Sequence, residues 1–584
     1  MTESASTPAS RGPGMPFRPA DATVINTIRC LAADMNGHAC CLQYILLHLL
    51  GYDIALDDLK RYRQLDSKTP GHPESHMTPV VELIAGPLGQ GIANAVGLAM
   101  AEAHLAATFN RPDAPKIVDH YTYVILGDGC LQEGVSAEAM SLAGHWKLGK
   151  LIELYDDNKI DGTTDLAFTE NVCQRVEAFG WHTLSVPHGD AIDQSALVAA
   201  LAEAHRVTDR PTLIKVTTTI GFGSSKAGTD KVHGSALGVD DVKRVKQQLG
   251  FDPGAAFVVS YTVRELYAAV RARGQEAEAN WQRAFEEYKN KYLFLAADFE
   301  RRAAGRLPDG IREKMPTFST KDAPAATRKW SGQATGNAHG AYEGRYVRFG
   351  VREHGMAAIC NGLAAHGLVR PFAATFLNFI TYAYPSVRLA ALAHHRVIRA
   401  RAPADETLAL LRATPNLWVL RPADGNEVVG AYRAALNAPS IPVALILSRQ
   451  AVPVLSGSSA ESTGRGAYVL QDVGNPAVAL VATGTEVALA IEAAALLDEF
   501  APRTYHESVL TPGVPVVAVE ALGTIGWRQY AHAVVGMRAF GTSRAPDAVY
   551  AKFGITKEAV AAKANEVIEY FKGKAVPNVF DRFE

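Results

Sequence analysis

Along the chain, short apolar and β-branched runs alternate with Ala-rich stretches whose apolar positions recur at helical spacing. Residues 121–126 (YTYVIL), 151–155 (LIELY) and 212–219 (TLIKVTTT) read as strands buried in a parallel sheet. Residues 136–148, between the first two, have helical composition and length and complete a βαβ unit. Residues 263–306 are charged, Pro-poor and helical in pattern, a connector expected to lie over a surface. Residues 314–325, with Pro316 and Pro324, read as a loop. A second alternating block covers about 327–454. A third follows the linker-like SGSSAEST at 456, with strands expected at 478–482 and 515–519 around a helix at 486–500. The expected fold class is therefore α/β, with three consecutive parallel-sheet domains. The Ser-, Thr-, Pro- and Ala-rich residues 1–20 are expected to be disordered.

Composition narrows the class. Of 584 residues, 48% are hydrophobic and 20% charged, enough apolar material for several large cores. With 58 basic against 60 acidic residues, the formal net charge is −2. That balance gives no electrostatic footprint for nucleic acid or membrane headgroups. No apolar run approaches the ~18 residues of a spanning helix. The six cysteines show no CxxC spacing, so neither a disulfide framework nor a zinc knuckle is expected. There is no apolar core of a secretory signal and no peroxisomal or retention address, so the expected compartment is cytoplasmic.

The strongest chemical signal is Gly127-Asp128-Gly129, where the first strand ends and a helix begins. Asn158 follows in YDDNKI, at the end of the next strand. In an open parallel sheet two such loops face one crevice, where ligands bind. The glycines let backbone approach a bound group. The Asp128 carboxylate, the Asn158 amide oxygen and the Ile160 carbonyl make half a shell of hard oxygen ligands, which Mg²⁺ or Ca²⁺ bridging a diphosphate would complete. An isolated GDG is equally an ordinary turn in which Asp128 caps a helix, and it is the second loop at βαβ spacing that favours the ligand site.

With its neighbours this pattern resembles transketolase over nearly the whole chain. The matching text is NGHAC (36–40), DSKTPGHPE (66–74), GPLGQG (86–91), GDGCLQEG (127–134), VHG (232–234), GVREH (350–354), TFLNF (375–379), RPADGNE (421–427) and LSRQ (447–450). The resemblance implies a homodimer whose active sites lie at the subunit interface, with thiamine diphosphate and Mg²⁺ or Ca²⁺ as cofactors. It implies a diphosphate-binding domain with its helical connector at 21–292, a pyrimidine-binding domain at 293–455 and a C-terminal domain at 456–584. Asp128, Asn158 and Ile160 would ligate the metal, with Gly86, Gly129 and Glu133 alongside and Leu88 supporting the cofactor. Glu353 would hydrogen-bond the cofactor's pyrimidine, a role suited to a carboxylate in an apolar cleft. Phe376, Phe379 and Tyr382 recur at i, i+3 and i+6, a spacing equally expected of core packing; the resemblance makes Phe379 a stacking wall with the other two adjoining. His38, His72 and His233 would contact diphosphate and sugar hydroxyls and move protons. Arg328 and Arg449 would otherwise read as surface salt-bridging residues; the resemblance makes them a sugar-phosphate grip.

The implied reaction is transfer of a two-carbon ketol unit from a ketose phosphate to an aldose phosphate, as in the pentose phosphate pathway. Against this, several family segments are missing. The chain passes directly from Met35 to Asn36, closes the loop after Ile160 at once, lacks the family's motif near 329–344, carries RARAPADE at 399–406 in place of a longer run, and is short upstream of Tyr505. Most of these segments would line the cofactor and substrate cleft. Two alternatives therefore stand beside the first reading: a dihydroxyacetone synthase-like enzyme, and a catalytically impaired transketolase-like protein.

Overall fold

The β-branched runs form their strands through in-register parallel pairing. In this computed structural model the described residues are 19–35, 40–160, 164–192, 194–335, 342–402, 407–472, 477–497, 513–524, 526–527, 530–537 and 546–577. Residues 1–18, most of the segment expected to be disordered, lie outside them, as do 36–39, 161–163, 403–406 and 501–512. The chain divides into two compact units, one of Met1–Gly305 with Gly340–Val369, the other of Arg306–His339 with Arg370–Glu584.

In the first unit, β1 (Thr122–Gly127), β2 (Leu151–Asp157), β3 (His182–Val186) and β4 (Thr212–Thr217) form a parallel sheet in the order β1-β2-β4-β3. Alternation along β2 sorts its side chains. Leu151 and Tyr155 enter a core with Ile92 and Val96 of the helix Gln90–Phe109 and Leu142 of the helix Gly134–His145, whereas Ile152 joins Val186, Ile214 and Val216 in another. The helix Glu353–Ala365 adds Ala358, Ile359 and Leu363 to the first core. Two glycines let this helix cross Gln90–Phe109 with backbones touching. A Cβ on Gly97 would lie 2.2 Å from the Ile359 carbonyl oxygen, and one on Gly362 would lie 1.9 Å from that of Asn94. Gln90–Phe109 is long and apolar enough to cross a membrane by length and composition alone, contrary to the expectation from the sequence, but most of it is buried in this core. The expected connector is two helices, Tyr261–Lys291 and Leu293–Ala303. The first starts where the Ser260 hydroxyl accepts the Val263 N–H at 3.4 Å. It is more than a surface cover, because Phe285 and Tyr288 are buried with Leu105 and Phe109.

In the second unit, β5 (Ala325–Ala326) pairs antiparallel with β10 (Ala451–Val452). The strands β6 (Phe372–Phe376), β7 (Ile398–Ala402), β8 (Trp418–Leu420) and β9 (Val443–Ile446) make a parallel sheet in the order β6-β7-β9-β8. A third parallel sheet orders β11 (Ala479–Ala482), β12 (Val516–Gly523) and β13 (Ala533–Met537), with the helices Glu486–Leu497 and Lys557–Phe571 packed over it. Ile398–Arg399, where the sequence reading expects a missing segment, is the start of an inner strand, in register with Val443 and Ala444, and the Arg399 side chain is buried.

Candidate active site

In register, Gly127 of β1 stands opposite Asp156 of β2, so the loops carrying Asp128 and Asn158 leave the carboxyl end of the sheet side by side. Asp128 opens the short helix Asp128–Gln132, which also holds Gly129, and is almost wholly buried. The Tyr155 hydroxyl, two residues before the end of β2, donates to its Oδ1 and, at 3.3 Å, to Asp157. Its Oδ2 is buried with no hydrogen-bond partner among the described residues. Burial pushes the Asp128 carboxyl up from its usual range; the Tyr155 hydrogen bond opposes that and the charge of Asp157 adds to it. Lys159, in the Asn158 turn, acts with Tyr155 to lower it. Lys159 adopts a left-handed φ of 65°, and the Asn158 oxygen accepts the Ile160 N–H at 3.0 Å while its amide donates to Asp156 at 2.7 Å. Asp157 is neutralised by Lys159 at 2.7 Å and Lys215 at 3.0 Å.

Beside this group, Gly89 has φ 79° and leaves no room for a side chain. Its Cβ would sit 2.8 Å from both Glu133 Cβ and Val135 Cγ1. Leu88, the residue before Gly89, and Glu133 are both exposed. A Cβ on Gly86 would meet the His72 ring at 3.7 Å, so His72 belongs to the same cluster. His233 is exposed at the end of the short turn Asp230–Val232, and no hydrogen bond joins it to Asp128 or Asn158 among the described residues. His38 lies outside the described residues.

Glu353 is the first residue of its helix and half-buried. Contacts with neighbouring helices fix that helix end. The Gly355 N–H donates to Glu138 at 2.7 Å, Arg352 donates to Ser141 at 3.2 Å, and the Gln90 amide donates to His354 Nε2 at 2.7 Å. Burial, opposed by the Gly355 N–H and reinforced by the charge of Glu353, raises the Glu138 carboxyl above its ordinary range. Burial lowers His354, in keeping with a neutral ring that accepts from Gln90. The sequence reading missed Tyr155, Glu138 and Gln90. For Tyr155 there was a signal, since strand alternation places it on the face of Asp157. For the other two there was none.

In the second unit the spaced aromatics are not core residues. Phe376, Phe379 and Tyr382 are 53%, 39% and 67% exposed, while Leu377 and Ile380 between them are fully buried. Phe376 and Phe379 meet edge to face at 5.9 Å, and Phe379 and Tyr382 lie 6.5 Å apart. Arg328 and Arg449 are both exposed. Thr327 and Ser448, the residues before them, are buried and hydrogen-bonded to one another.

A parallel α/β sheet whose adjacent strand ends carry a buried carboxylate, with one oxygen lacking a hydrogen-bond partner among the described residues, has the crevice in which proteins of this fold class bind ligands. Family comparisons are specific. Residues 16–308 match the transketolase thiamine diphosphate-binding domain, 316–454 the transketolase pyrimidine-binding domain, and 499–556 the transketolase-like C-terminal domain. The transketolase of Kluyveromyces lactis is 46% identical over 93% of this chain and 89% of its own length. Its alignment runs to 609 residues, longer than this chain, so the relative carries residues absent here. A Pichia stipitis transketolase in complex with sedoheptulose 7-phosphate superposes with a TM-score of 0.93 at 39% identity, covering 97% of this chain and all of the other. A variant of the same protein in complex with fructose 6-phosphate superposes with a TM-score of 0.94 at the same identity and coverage. The chain belongs to the transketolase family, the thiamine diphosphate-dependent transferases of ketol groups.

Proposed function

We propose that the chain transfers a two-carbon ketol unit between sugar phosphates as a cytoplasmic homodimer, using thiamine diphosphate and a divalent cation, Mg²⁺ or Ca²⁺. The observation that carries this reading is the buried Asp128 oxygen, without a hydrogen-bond partner among the described residues, set against the Asn158 turn. An acceptor-only oxygen left open there suits a hard cation, and a bound cation would relieve the cost of its burial. Among the described residues no three His, Cys, Asp or Glu side chains cluster as a metal site, so the cation would depend on the Asn158 amide oxygen and the Ile160 carbonyl as well as Asp128. The residues present fit the group.

Thiamine diphosphate, when bound, supplies the carbanion chemistry that ketol transfer needs. Gly129 and Glu133 would flank its diphosphate and Leu88 would support it. Glu353 would share a proton with a pyrimidine nitrogen through its carboxylate. The exposed Phe376, Phe379 and Tyr382 rings offer the pyrimidine an apolar wall. Arg328 and Arg449 would orient the sugar phosphate, and His38, His72 and His233 would hold and pass protons near the sugar hydroxyls. In the dimer, Asp128 of one chain and Glu353 of the other would complete one site. The domain limits at 292/293 and 455/456 belong to this reading.

Asp128→Asn keeps the shape and removes the charge. Its affinity for thiamine diphosphate with Mg²⁺ should fall about 100-fold, a loss typical of disturbed metal shells, followed by titration calorimetry and by ketol transfer. Unchanged cofactor affinity in the variant would remove Asp128 from the metal site. Cofactor binding without turnover in the parent would assign the chain to the impaired class to which the missing loops point.

A further inference from the structure

The turn that carries Arg449 is anchored on both sides. On the first side, Thr327 donates its N–H to Ser448 Oγ at 2.9 Å and its hydroxyl to the same oxygen at 3.1 Å. The Ser448 N–H donates back to the Thr327 hydroxyl at 2.6 Å. The adjoining β5 and β10 pair through Ala326 with Ala451 and Ala325 with Val452. This lock fixes where the backbone of Arg449 passes that of Arg328.

On the second side, the anchor comes from the last α/β block. The Gln450 side-chain amide donates to the Tyr550 hydroxyl at 3.1 Å, and that hydroxyl donates to Glu486 at 2.7 Å. Glu486 is fully buried and ion-paired with the buried Arg421. Arg421 also donates to the Thr483 hydroxyl at 3.0 Å and approaches Glu520 at 3.7 Å. Arg412 grips Glu520 with two parallel bonds of 2.8 and 2.9 Å, and Trp527 donates to it at 2.7 Å. Burial would raise the Glu520 carboxyl, but Arg412 and Arg421 outweigh it and hold the group below its ordinary range. The end of the chain from Gln450 is thus a buried, charge-neutralised network rather than a mobile side chain.

From this we infer that Tyr550 and Glu486 are positioning residues for Arg449, so that the C-terminal block sets the affinity for phosphorylated sugars. The inference rests on the reading that Arg328 and Arg449 hold the sugar phosphate. Two guanidinium groups grip one phosphate well only if their backbones are held at a fixed spacing, because each side chain already loses rotamer freedom on binding. Ser448 and Gln450 flank Arg449 directly, and both are held by side chains distant in sequence. The two anchors leave the arginine side chain free to reach a ligand while its origin stays fixed.

The test compares fructose 6-phosphate with fructose as donors at one saturating acceptor, using the full chain with thiamine diphosphate and Mg²⁺. Tyr550→Phe removes the hydroxyl and keeps the ring. It should raise KM for fructose 6-phosphate about 10-fold, the scale of one lost positioning hydrogen bond, with kcat nearly unchanged. Turnover of fructose should not change, since it has no phosphate to aim at. Gln450→Leu breaks the same connection from the other end and should have the same effect; it carries the test if Tyr550→Phe fails to fold. The double variant should be no worse than either single one. Arg449→Ala separates the two levels of the argument. If it raises KM for fructose 6-phosphate while both anchor variants leave it unchanged, the positioning inference is overturned and the phosphate reading stands. If Arg449→Ala has no effect on that KM, the phosphate reading falls and this inference with it. Equal losses on fructose and fructose 6-phosphate in the anchor variants would overturn the inference in favour of a purely structural role.

Discussion

At the scale of single residues, Glu153 sits on β2 between Leu151 and Tyr155, fully buried, with neither carboxyl oxygen hydrogen-bonded among the described residues. Burial pushes its pKa from 4.5 up to about 8. The unfolded chain therefore releases this proton well before the folded one does. The stability the protonated group allows is complete below 4.5 and is lost as pH rises from there through 8. Glu153→Leu should therefore gain most above pH 8 and least at pH 5, the gain growing by about 1.4 kcal/mol with each pH step of one in between. Urea unfolding at about pH 5 and about pH 8.5 checks this, and an equal gain at both would clear Glu153 as the cause. Two histidines act from the acid side. Burial, with Arg399 adding at His395 and His120 at His366, depresses both from 6.5 to about 4, so their contribution is present above 6.5 and lost as pH falls towards 4. None of this was legible in the sequence. LIELY reads as a strand with or without its charge, and the cost of Glu153 comes from its complete burial once the chain has folded.

At the scale of elements, the crossing of Gln90–Phe109 with Glu353–Ala365 is set by Gly97 and Gly362. Gly362→Ala would place a methyl 1.9 Å from the Asn94 carbonyl oxygen and force the helices apart. The expected loss is about 1–3 kcal/mol, the usual cost of overpacking, read by thermal unfolding. Gly274→Ala is the control. It lies on an exposed stretch of the helix Tyr261–Lys291 with nothing within 4 Å of the added carbon, and there the substitution should be neutral or stabilising. An undisturbed Gly362→Ala protein would show that the crossing has slack. Elements were the most legible level. The strands expected at 121–126, 151–155 and 212–219 appear as Thr122–Gly127, Leu151–Asp157 and Thr212–Thr217. β2 runs two residues further than its apolar run because Asp156 and Asp157 still pair with β4. β5 and β10 were illegible, since two-residue strands carry no periodicity. So was β7, because Arg399 looks like a surface residue until neighbouring strands enclose it.

At the scale of the whole molecule, the motifs made the metal loop readable because glycines and acids at a strand end leave a local pattern. The support around Glu353 left none, since Gln90, Glu138 and Ser141 reach it across more than 200 residues. The proposed shared site makes a distinct prediction. Asp128→Asn and Glu353→Gln chains, each inactive alone, should regain about a quarter of parental ketol transfer when refolded together, because half the dimers are mixed and each mixed dimer holds one intact site. If both residues served the same site from one chain, mixing would restore nothing. The division into units has a further consequence during protein synthesis. The first unit is interrupted after Gly305 and resumes only at Gly340–Val369. A ribosome that has made the first 305 residues has not yet made Ile359 and Leu363, which complete the core over Gln90–Phe109. At about 5–20 residues per second that apolar face waits several seconds for its cover, so yield in a cell should depend on translation speed across this stretch and on a chaperone bridging the delay.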